Sequence, residues 1–339
     1  MRRIQVVATG GTIASRSGAE GRRATVLAEE LVASVGPLPD GAEVSVRDVV
    51  TRGSYAFDTA DLLSLAREVR GTLRDGADGV VMTHGTDTME ETAFLLDLAF
   101  DDPRPIVLTG AQRPFDDRAA DGPGNLGDAL AVAADDAARG HGPLLVFDGF
   151  AFPARGVRKS DTMSAHAFTA PGRGPALRVV GRRVVPLWQP RPSPRLPFDL
   201  DLPRLPRVDV VPAYPGADGL FVRASLAAGA AGVVVAAVGA GNAGPELVEA
   251  VAEAVAAGHP VLICSRVHSG PVEPLYAGGG AELQRVGAIF AGDLSPWQAR
   301  LLLAVASAVP GRSPDALVRA WLAGRDPSSE PAPDRLPTA

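Results

Sequence analysis

The sequence predicts an α/β protein with two domains, on three observations. The chain of 339 residues exceeds the usual size of a single domain. Short apolar runs alternate along it with segments of helical period, as in βαβ units. Those runs are apolar on successive residues, which is typical of strands covered by helices on both faces. We therefore predict a larger N-terminal domain with a doubly wound, mostly parallel sheet over residues 1–185, and a smaller C-terminal α/β domain over residues 208–323.

The first 185 residues contain five strand-like runs and three helix-like segments. The strands are predicted at residues 4–8, 44–50, 79–83, 106–109 and 144–147. The helices are predicted at residues 59–73, 88–100 and 125–138, with Asp or Glu near their starts. Thr88 and Glu91 stand in capping-box register, so we expect Thr88 to cap the second of these helices.

The second half begins after a change of composition. Residues 186–207 are crowded with proline and are predicted to form an ordered linker. The alternation then resumes, with strands predicted at residues 208–211, 232–238 and 260–264 and helices at residues 245–257, 295–308 and 314–322. The tail, residues 324–339, has too little apolar content to repay its ordering entropy, and we expect it to be disordered.

Charge and composition exclude several classes of partner. The net charge of −6 comes from acids and bases mixed along the chain, with no basic block, so no nucleic-acid partner is expected. The apolar run after the first residues is too short for a signal peptide or a membrane span, which indicates a cytoplasmic protein without membrane contact. The single Cys264 cannot form an internal disulfide and is expected to be a buried thiol. The histidines at 84, 141, 166 and 268 show no metal-ligand spacing, and His84 is expected to pack beside a turn.

Two strand ends carry the candidate chemistry, because ligands bind beyond the carboxyl ends of strands in open parallel sheets. The first, VVATGGTIAS over residues 6–15, lacks the glycine spacing of a dinucleotide fingerprint and the GK[ST] of a P-loop, so nucleotide binding is disfavoured. Its hydroxyl, Thr12, stands directly after the glycine turn. The second, VVMTHGTDTMEETAFLLDLA over residues 80–99, places Thr86 and Asp87 at a helix N-terminus, where backbone N–H groups suit a developing oxyanion.

These two stretches carry a resemblance to a known family. TGGTIA followed by THGTDTMEETA, together with GAQRP at 110–114 and DGPGNL at 121–126, resembles the bacterial-type L-asparaginases over nearly the whole chain. The resemblance implies hydrolysis of L-asparagine to L-aspartate and ammonia by a two-domain α/β subunit, with no metal and no cofactor. It also implies a homotetramer built from close dimers, or a homodimer, with active sites at subunit interfaces. Two alternatives stay open: a glutaminase-asparaginase of broader specificity, and a non-catalytic amino-acid-binding protein.

The resemblance also assigns residues of this chain to the reaction. Thr12 corresponds to the nucleophilic threonine that attacks the side-chain amide and forms an acyl-enzyme, and the proton relay falls on Thr86, Asp87 and Lys159. An alcohol is a poor nucleophile and needs such a relay. A lysine can take part only where burial or neighbouring charge leaves a useful neutral fraction. The bases of this chain are overwhelmingly arginine, which cannot act as a base.

Substrate recognition is assigned in the same way. Ser54 is in register with the serine that binds the α-carboxylate, and Asp87 would hold the α-ammonium group. Gly53, Tyr55, Thr86 and Ala111 complete the substrate-binding positions of this domain. Asn242 in GAGNAGPEL and Glu273 in SRVHSGPVEPLY are candidates to reach the active site of a neighbouring subunit, in which case a monomer would be inactive.

The chain departs from the family pattern at two places. Tyr55 stands where the family usually has a glutamine, and the loop at residues 15–25 lacks the tyrosine that usually hydrogen-bonds the nucleophile. All three tyrosines lie elsewhere, at 55, 214 and 276. Our hypothesis is that Tyr55, or Tyr276 of a neighbouring subunit, replaces it. The glycine- and arginine-rich loop is still expected to act as a lid.

Overall fold

The computed structural model describes residues 1–191 and 193–327. The chain divides into two compact units, Met1–Pro192 and Ser193–Ala339. Most of the tail expected to be disordered, residues 328–339, lies outside the described residues. Among the tail residues that are described, Pro327 is buried and its carbonyl accepts a hydrogen bond of 2.6 Å from the Arg312 guanidinium, and the disorder of the tail stays a prediction.

The first unit contains an eight-stranded sheet. Its strands are β1 (Arg2–Gly10), β2 (Ala42–Arg52), β3 (Gly79–Thr83), β4 (Ile106–Thr109), β5 (Leu144–Phe147), β6 (Phe150–Pro153), β7 (Leu177–Val180) and β8 (Arg183–Pro186). The strand order is β8-β7-β6-β5-β4-β3-β1-β2. The five strands β1 to β5 run parallel, and β6 to β8 extend the sheet antiparallel. The mostly parallel sheet predicted from sequence is confirmed.

Helices cover both faces of this sheet. They are α1 (Ala28–Ala33), α2 (Thr59–Arg74), α3 (Met89–Ala99) and α4 (Gly122–Ala134). Leu31 of α1 and Leu126 of α4 share one buried apolar cluster with Ile4 and Val81 of the sheet. Helices α2 and α3 contact each other and the sheet, and they contribute nothing to that cluster. The strands β3, β4 and β5 are therefore buried along their whole length, as their continuous apolar sequences require.

The antiparallel strands and α1 were not predicted from the sequence. Two tight hairpins join the antiparallel strands, and each has two successive residues with positive φ: Asp148 and Gly149 between β5 and β6, and Gly181 and Arg182 between β7 and β8. Such pairs suit the right-handed twist of the flanking strands. The dipeptide Asp148-Gly149 was a usable hairpin signal, because it lies between two apolar runs.

The second unit contains a smaller parallel sheet. Its strands are β9 (Val208–Pro212), β10 (Gly232–Ala237), β11 (Val261–Ser265) and β12 (Ile289–Phe290), paired in that order. Its helices are α5 (Leu220–Ala227), α6 (Pro245–Ala256), α7 (Gly280–Arg285), α8 (Pro296–Ser307) and α9 (Pro314–Leu322). Helix α8 packs on β9, β10 and β11. Cys264 lies in β11 and is fully buried, as expected.

The proline-rich segment contains no helix or strand at residues 187–191 and 193–207. It is nonetheless anchored within each unit, since the Trp188 indole donates to the Pro175 carbonyl at 2.9 Å and Leu196 and Leu205 are buried. The domain limits at 185 and 207 stay a prediction. Among the described residues, no helix combines the length and the apolar sequence needed to cross a membrane.

Candidate active site

Close backbone contacts join the loops that follow three parallel strands. A Cβ atom on Gly11, after β1, would lie 2.5 Å from the Gly85 backbone, after β3. A Cβ atom on Gly85 would in turn lie 2.6 Å from Oγ of Ser54, after β2. Any side chain at either glycine would push these loops apart. The two glycines therefore bring the loops after β1, β2 and β3 together at the carboxyl edge of the sheet.

Thr12 begins a short 3-10 turn, Thr12–Ala14, directly after the Gly11 contact. Gly11 has a φ of 79°, and its carbonyl accepts hydrogen bonds from the Ala14 N–H at 3.2 Å and the Ser15 hydroxyl at 2.7 Å. These bonds hold the turn, and Thr12 itself is half-buried. The glycines thus shape the backbone, and Thr12 follows directly after the point where the end of β1 meets the β3 loop.

Thr86, Asp87 and Lys159 form a hydrogen-bonded cluster. The Lys159 ammonium donates to Oγ1 of Thr86 at 2.8 Å and to Oδ1 of Asp87 at 2.7 Å. Thr86 is buried, the Lys159 side chain is 16% exposed and the Asp87 side chain is 56% exposed. A hydroxyl, an amine and a carboxylate in contact can pass protons among themselves. The open side of Asp87 leaves a carboxylate oxygen available to a cationic ligand.

Lys159 reaches this cluster from a two-residue strand. Arg158–Lys159 pairs antiparallel with Phe168–Thr169, outside the main sheet. Lys159 is also the only lysine in the chain, beside 32 arginines. Arginine and lysine carry the same charge, but only lysine can give up its proton in a protein. The residue that contacts Thr86 and Asp87 is therefore the single lysine of the chain.

Ser54 is buried next to the cluster, in the 3-10 turn Ser54–Ala56. Its hydroxyl oxygen accepts from the Thr88 N–H at 3.4 Å, and its carbonyl accepts from the Thr88 hydroxyl at 3.0 Å. The prediction that the Thr88 side chain caps α3 is therefore wrong. Thr88 is the N-cap residue, but its side chain makes no capping hydrogen bond because the Ser54 carbonyl takes its hydroxyl proton.

Tyr55 and the arginine-rich loop mark the outer side of the site. Tyr55 is 78% exposed, and its ring lies over Gly53. Ser15–Arg16 and Arg23–Ala24 pair as a small hairpin. The Arg16 guanidinium lies 5.3 Å from the centroid of the Phe115 ring, and the Ser17 N–H donates to the Asp116 carboxylate at 3.0 Å. The loop that was expected to be a lid is thus docked on residues 115–116.

The motifs GAQRP at 110–114 and DGPGNL at 121–126 contact each other after β4. The Asp121 carboxylate accepts the N–H groups of Gln112 and Arg113, both at 2.9 Å. The Asn125 amide donates to the Gly110 carbonyl at 3.0 Å. DGPGNL therefore fastens GAQRP after β4. Ala111 within it is fully buried, so its part in substrate binding stays a prediction.

His84 packs beside the turn, as expected. Burial lowers the pKa of His84 to about 4, so its imidazole is neutral at neutral pH. Nδ1 lies 2.7 Å from the Gly85 carbonyl, which can only accept, so Nδ1 carries the proton. Nε2 then accepts from the Thr92 hydroxyl at 2.9 Å. This arrangement ties the β3 loop to α3 and stabilises the position of Gly85.

Glu90 is a buried residue of the site that the sequence analysis did not identify. It is the second residue of α3, and its carboxylate accepts the main-chain N–H of Lys159. Burial raises the pKa of Glu90 to about 7. An acidic residue in a first helical turn usually lies in solvent and favours the helix dipole. Its sequence context therefore contained no signal for this contact.

Asn242 and Glu273 belong to the second unit. The Asn242 side-chain oxygen accepts the Gly280 N–H at 3.0 Å, so it holds the start of α7. Glu273 is exposed, and its N–H donates to the Ala240 carbonyl at 2.8 Å. The two loops therefore pack on each other, with the Glu273 side chain on the surface. Tyr276, on the same loop, is also exposed.

Comparison with known proteins agrees with the motifs over both units. Residues 3–192 match the family model described as Asparaginase, N-terminal, and residues 207–320 match the Glutaminase/Asparaginase C-terminal domain. A protein of Deinococcus radiodurans named Probable L-asparaginase is 41% identical over 308 residues, which cover 89% of this chain and 92% of that protein. A Glutaminase-asparaginase of Pseudomonas fluorescens biotype A is 32% identical over 315 residues, covering 89% of this chain and 85% of that protein.

The fold agrees as well. The crystal structure of a probable cytoplasmic L-asparaginase from Campylobacter jejuni superimposes with a TM-score of 0.86 at 31% identity, covering 96% of this chain and all of that one. The family models match both units, and the relatives are more than 30% identical over most of their length. This chain belongs to the asparaginase family.

Proposed function

We propose that this protein is an L-asparaginase, which hydrolyses L-asparagine to L-aspartate and ammonia through an acyl-enzyme on Thr12. Family membership supports the reaction class. The observation that carries the mechanism is the contact of the Lys159 ammonium with Thr86 and Asp87, beside the turn that presents Thr12. A hydroxyl nucleophile needs a base nearby, and the Lys159 amine can act as one in its uncharged form.

In the proposed first step, Oγ of Thr12 attacks the side-chain amide carbon of asparagine. The Thr12 proton passes to the Thr86 hydroxyl, which gives its own proton to the uncharged Lys159 amine. Collapse of the tetrahedral intermediate breaks the C–N bond, and the leaving nitrogen takes a proton back from the relay to depart as ammonia. A water molecule then attacks the ester carbon and gives a proton to the relay; the C–O bond to Thr12 breaks, the relay returns the proton to the Thr12 oxygen, and aspartate is released.

The α-groups of the substrate would orient this attack. Asp87 has an exposed carboxylate oxygen for the α-ammonium group, and Ser54 lies next to the Gly85 backbone with a hydroxyl for the α-carboxylate. Gly53, Tyr55 and the buried Ala111 complete the proposed substrate-binding set. A site that binds both α-groups loses interactions with analogues that lack either of them. Asparagine derivatives blocked at the α-amine or the α-carboxylate should therefore be poor substrates.

The direct test is ammonia release by the purified protein from L-asparagine and from L-glutamine. Ammonia and aspartate formed in equal amounts from asparagine would support the proposal. Comparable kcat/KM values for glutamine would favour the glutaminase-asparaginase alternative, which the Pseudomonas relative supports. Asparagine that raises the melting temperature without releasing ammonia would contradict the proposal and indicate a binding protein.

Tyr55→Phe tests whether the Tyr55 hydroxyl replaces the missing loop tyrosine. Phenylalanine keeps the ring that lies over Gly53, so only the hydroxyl is lost. We expect kcat to fall by roughly a hundredfold, the usual scale for a group assisting proton transfer. Steady-state ammonia release measures it, with Tyr214→Phe in the second unit as the matched control. Undiminished turnover in Tyr55→Phe would remove Tyr55 and leave Tyr276 of a neighbouring copy as the candidate.

We infer that the protein works as a homotetramer or homodimer in which a neighbouring copy supplies Asn242 and Glu273. Exposure of the Glu273 side chain on its loop is consistent with such a contact. Sedimentation combined with assays across a dilution series tests it, since activity retained by a monomer would contradict the inference. A cytoplasmic location is part of the proposal, as the C. jejuni relative is named cytoplasmic, and cell fractionation would test it.

A further inference from the structure

Glu90 contacts the segment that carries Lys159. The two residues are 69 positions apart, and the Glu90 carboxylate accepts the Lys159 main-chain N–H. Glu90 is only 6% exposed, although a buried carboxylate is costly. The pKa of Glu90 is raised to about 7, mainly by burial; the Lys159 N–H lowers it, the nearby Glu91 raises it, and the positive charges of Arg158 and Lys159 lower it. A glutamine could accept the same N–H without that cost.

Helix α3 and the turn before it hold Lys159 at two points. Glu90 binds its main-chain N–H, while Thr86 and Asp87, a few residues earlier, bind its ammonium. The segment needs such support, because its strand is only two residues long. The lysine side chain is flexible and ends in a single point charge. Because the main chain and the ammonium of Lys159 are both held by α3 and the turn before it, the distance from the ammonium to Thr86 and Asp87 is fixed.

We propose that Glu90 is a positioning residue for Lys159: its carboxylate fixes the Lys159 main chain so that the ammonium stays within hydrogen-bond reach of Thr86 and Asp87. The proposal rests on the proposed function, in which Lys159 takes part in the proton relay. It gives the buried carboxylate a role through Lys159 and no contact with substrate. Errors of about 1 Å in such positions can reduce turnover about a hundredfold.

The single lysine allows a direct physical test. Protein labelled with α-15N-lysine should show one amide cross-peak, that of Lys159, because the chain has no other lysine. In the wild type, we expect this peak to shift with a midpoint near pH 7 as Glu90 loses its proton and its bond to the N–H becomes charge-assisted. In Glu90→Gln, that titration should be absent. A Lys159 peak with the same position and the same pH response in both proteins would overturn the proposal.

Kinetics test the consequence for the reaction. At pH 8, Glu90→Ala should lower kcat at least tenfold with KM for asparagine within twofold, since the reacting groups and not the binding groups are displaced. Glu90→Gln should restore kcat to within about threefold of the wild type, because its amide oxygen accepts the same N–H. Glu91→Ala, one residue along the helix, is the matched control.

Wild-type kcat in folded Glu90→Ala, or a rise in KM at constant kcat, would overturn the positioning role. If Glu90→Ala does not fold, the Lys159 amide signal of the wild type and of Glu90→Gln still tests whether Glu90 contacts the Lys159 N–H. Absence of ammonia release by the wild type would count against the proposed function, while the amide titration would still report on Glu90. The two failures are therefore distinguishable.

Discussion

Thr12→Ala should lower kcat for L-asparagine by at least about 10⁴-fold, because it removes the proposed nucleophile. The substitution should leave the fold intact. The 3-10 turn is held by the Gly11 carbonyl, which accepts from Ala14 and Ser15, and not by the Thr12 hydroxyl. Ammonia release at saturating asparagine measures the loss, and the melting temperature with and without asparagine checks that the variant folds and binds.

Two companion variants sharpen the Thr12 result. Thr12→Ser keeps a hydroxyl at the same backbone position and should retain far more activity than Thr12→Ala. Thr86→Ala removes the hydroxyl that the Lys159 ammonium contacts, and it should also reduce turnover severely. Acid quenching of the wild type during turnover should leave an aspartyl ester on the peptide that contains Thr12. If Thr12→Ala keeps more than about 1% of kcat, Thr12 is not the nucleophile.

Chemical modification of a single side chain should inactivate the enzyme. Amine-directed acylation can modify only Lys159 and the chain N-terminus. The chain has no other lysine, and its 32 arginines carry no amine of this kind. An acylated amine neither carries the charge nor accepts a proton, so we expect kcat to fall by roughly 10³-fold or more at full modification. Loss of activity should follow acylation of the Lys159 peptide in mass spectrometry, and aspartate in the site should slow both.

Substitutions separate the proton transfer by Lys159 from its charge. Lys159→Met removes both and should match the acylated protein. Lys159→Arg keeps a positive charge that can still contact Asp87 but cannot give up a proton, so it should not restore turnover. Activity near the wild-type level in Lys159→Arg would contradict a relay and leave Lys159 a purely electrostatic role. Protein acylated only at its N-terminus serves as the control and should keep full activity.

Local patterns in the sequence were enough for most of the secondary structure. The strands β3, β4 and β5 begin and end at the predicted residues, because each is a continuous apolar run bounded by turn residues. The helix α9 was predicted near residues 314–322 and spans Pro314–Leu322, where Ser313 caps it and Pro314 is its first residue. The antiparallel strands β6 to β8 were missed, since short runs paired across tight turns carry a weaker periodic signal.

The candidate site divides in the same way. The sequence by itself determined that Thr12, Thr86 and Asp87 follow strands, and that one lysine stands among 32 arginines, because chain order and composition are local properties. The family resemblance predicted that Lys159 joins Thr86 and Asp87, but only the tertiary structure shows that its ammonium contacts the Thr86 hydroxyl, 73 residues back along the chain, and that Glu90 holds its main chain.

It also redirected the Thr88 side chain from its own helix to the Ser54 carbonyl. These contacts join segments far apart in the chain. Their existence depends on how closely the strand-end loops approach at Gly11 and Gly85, a distance set by packing of the whole sheet and invisible to local propensity.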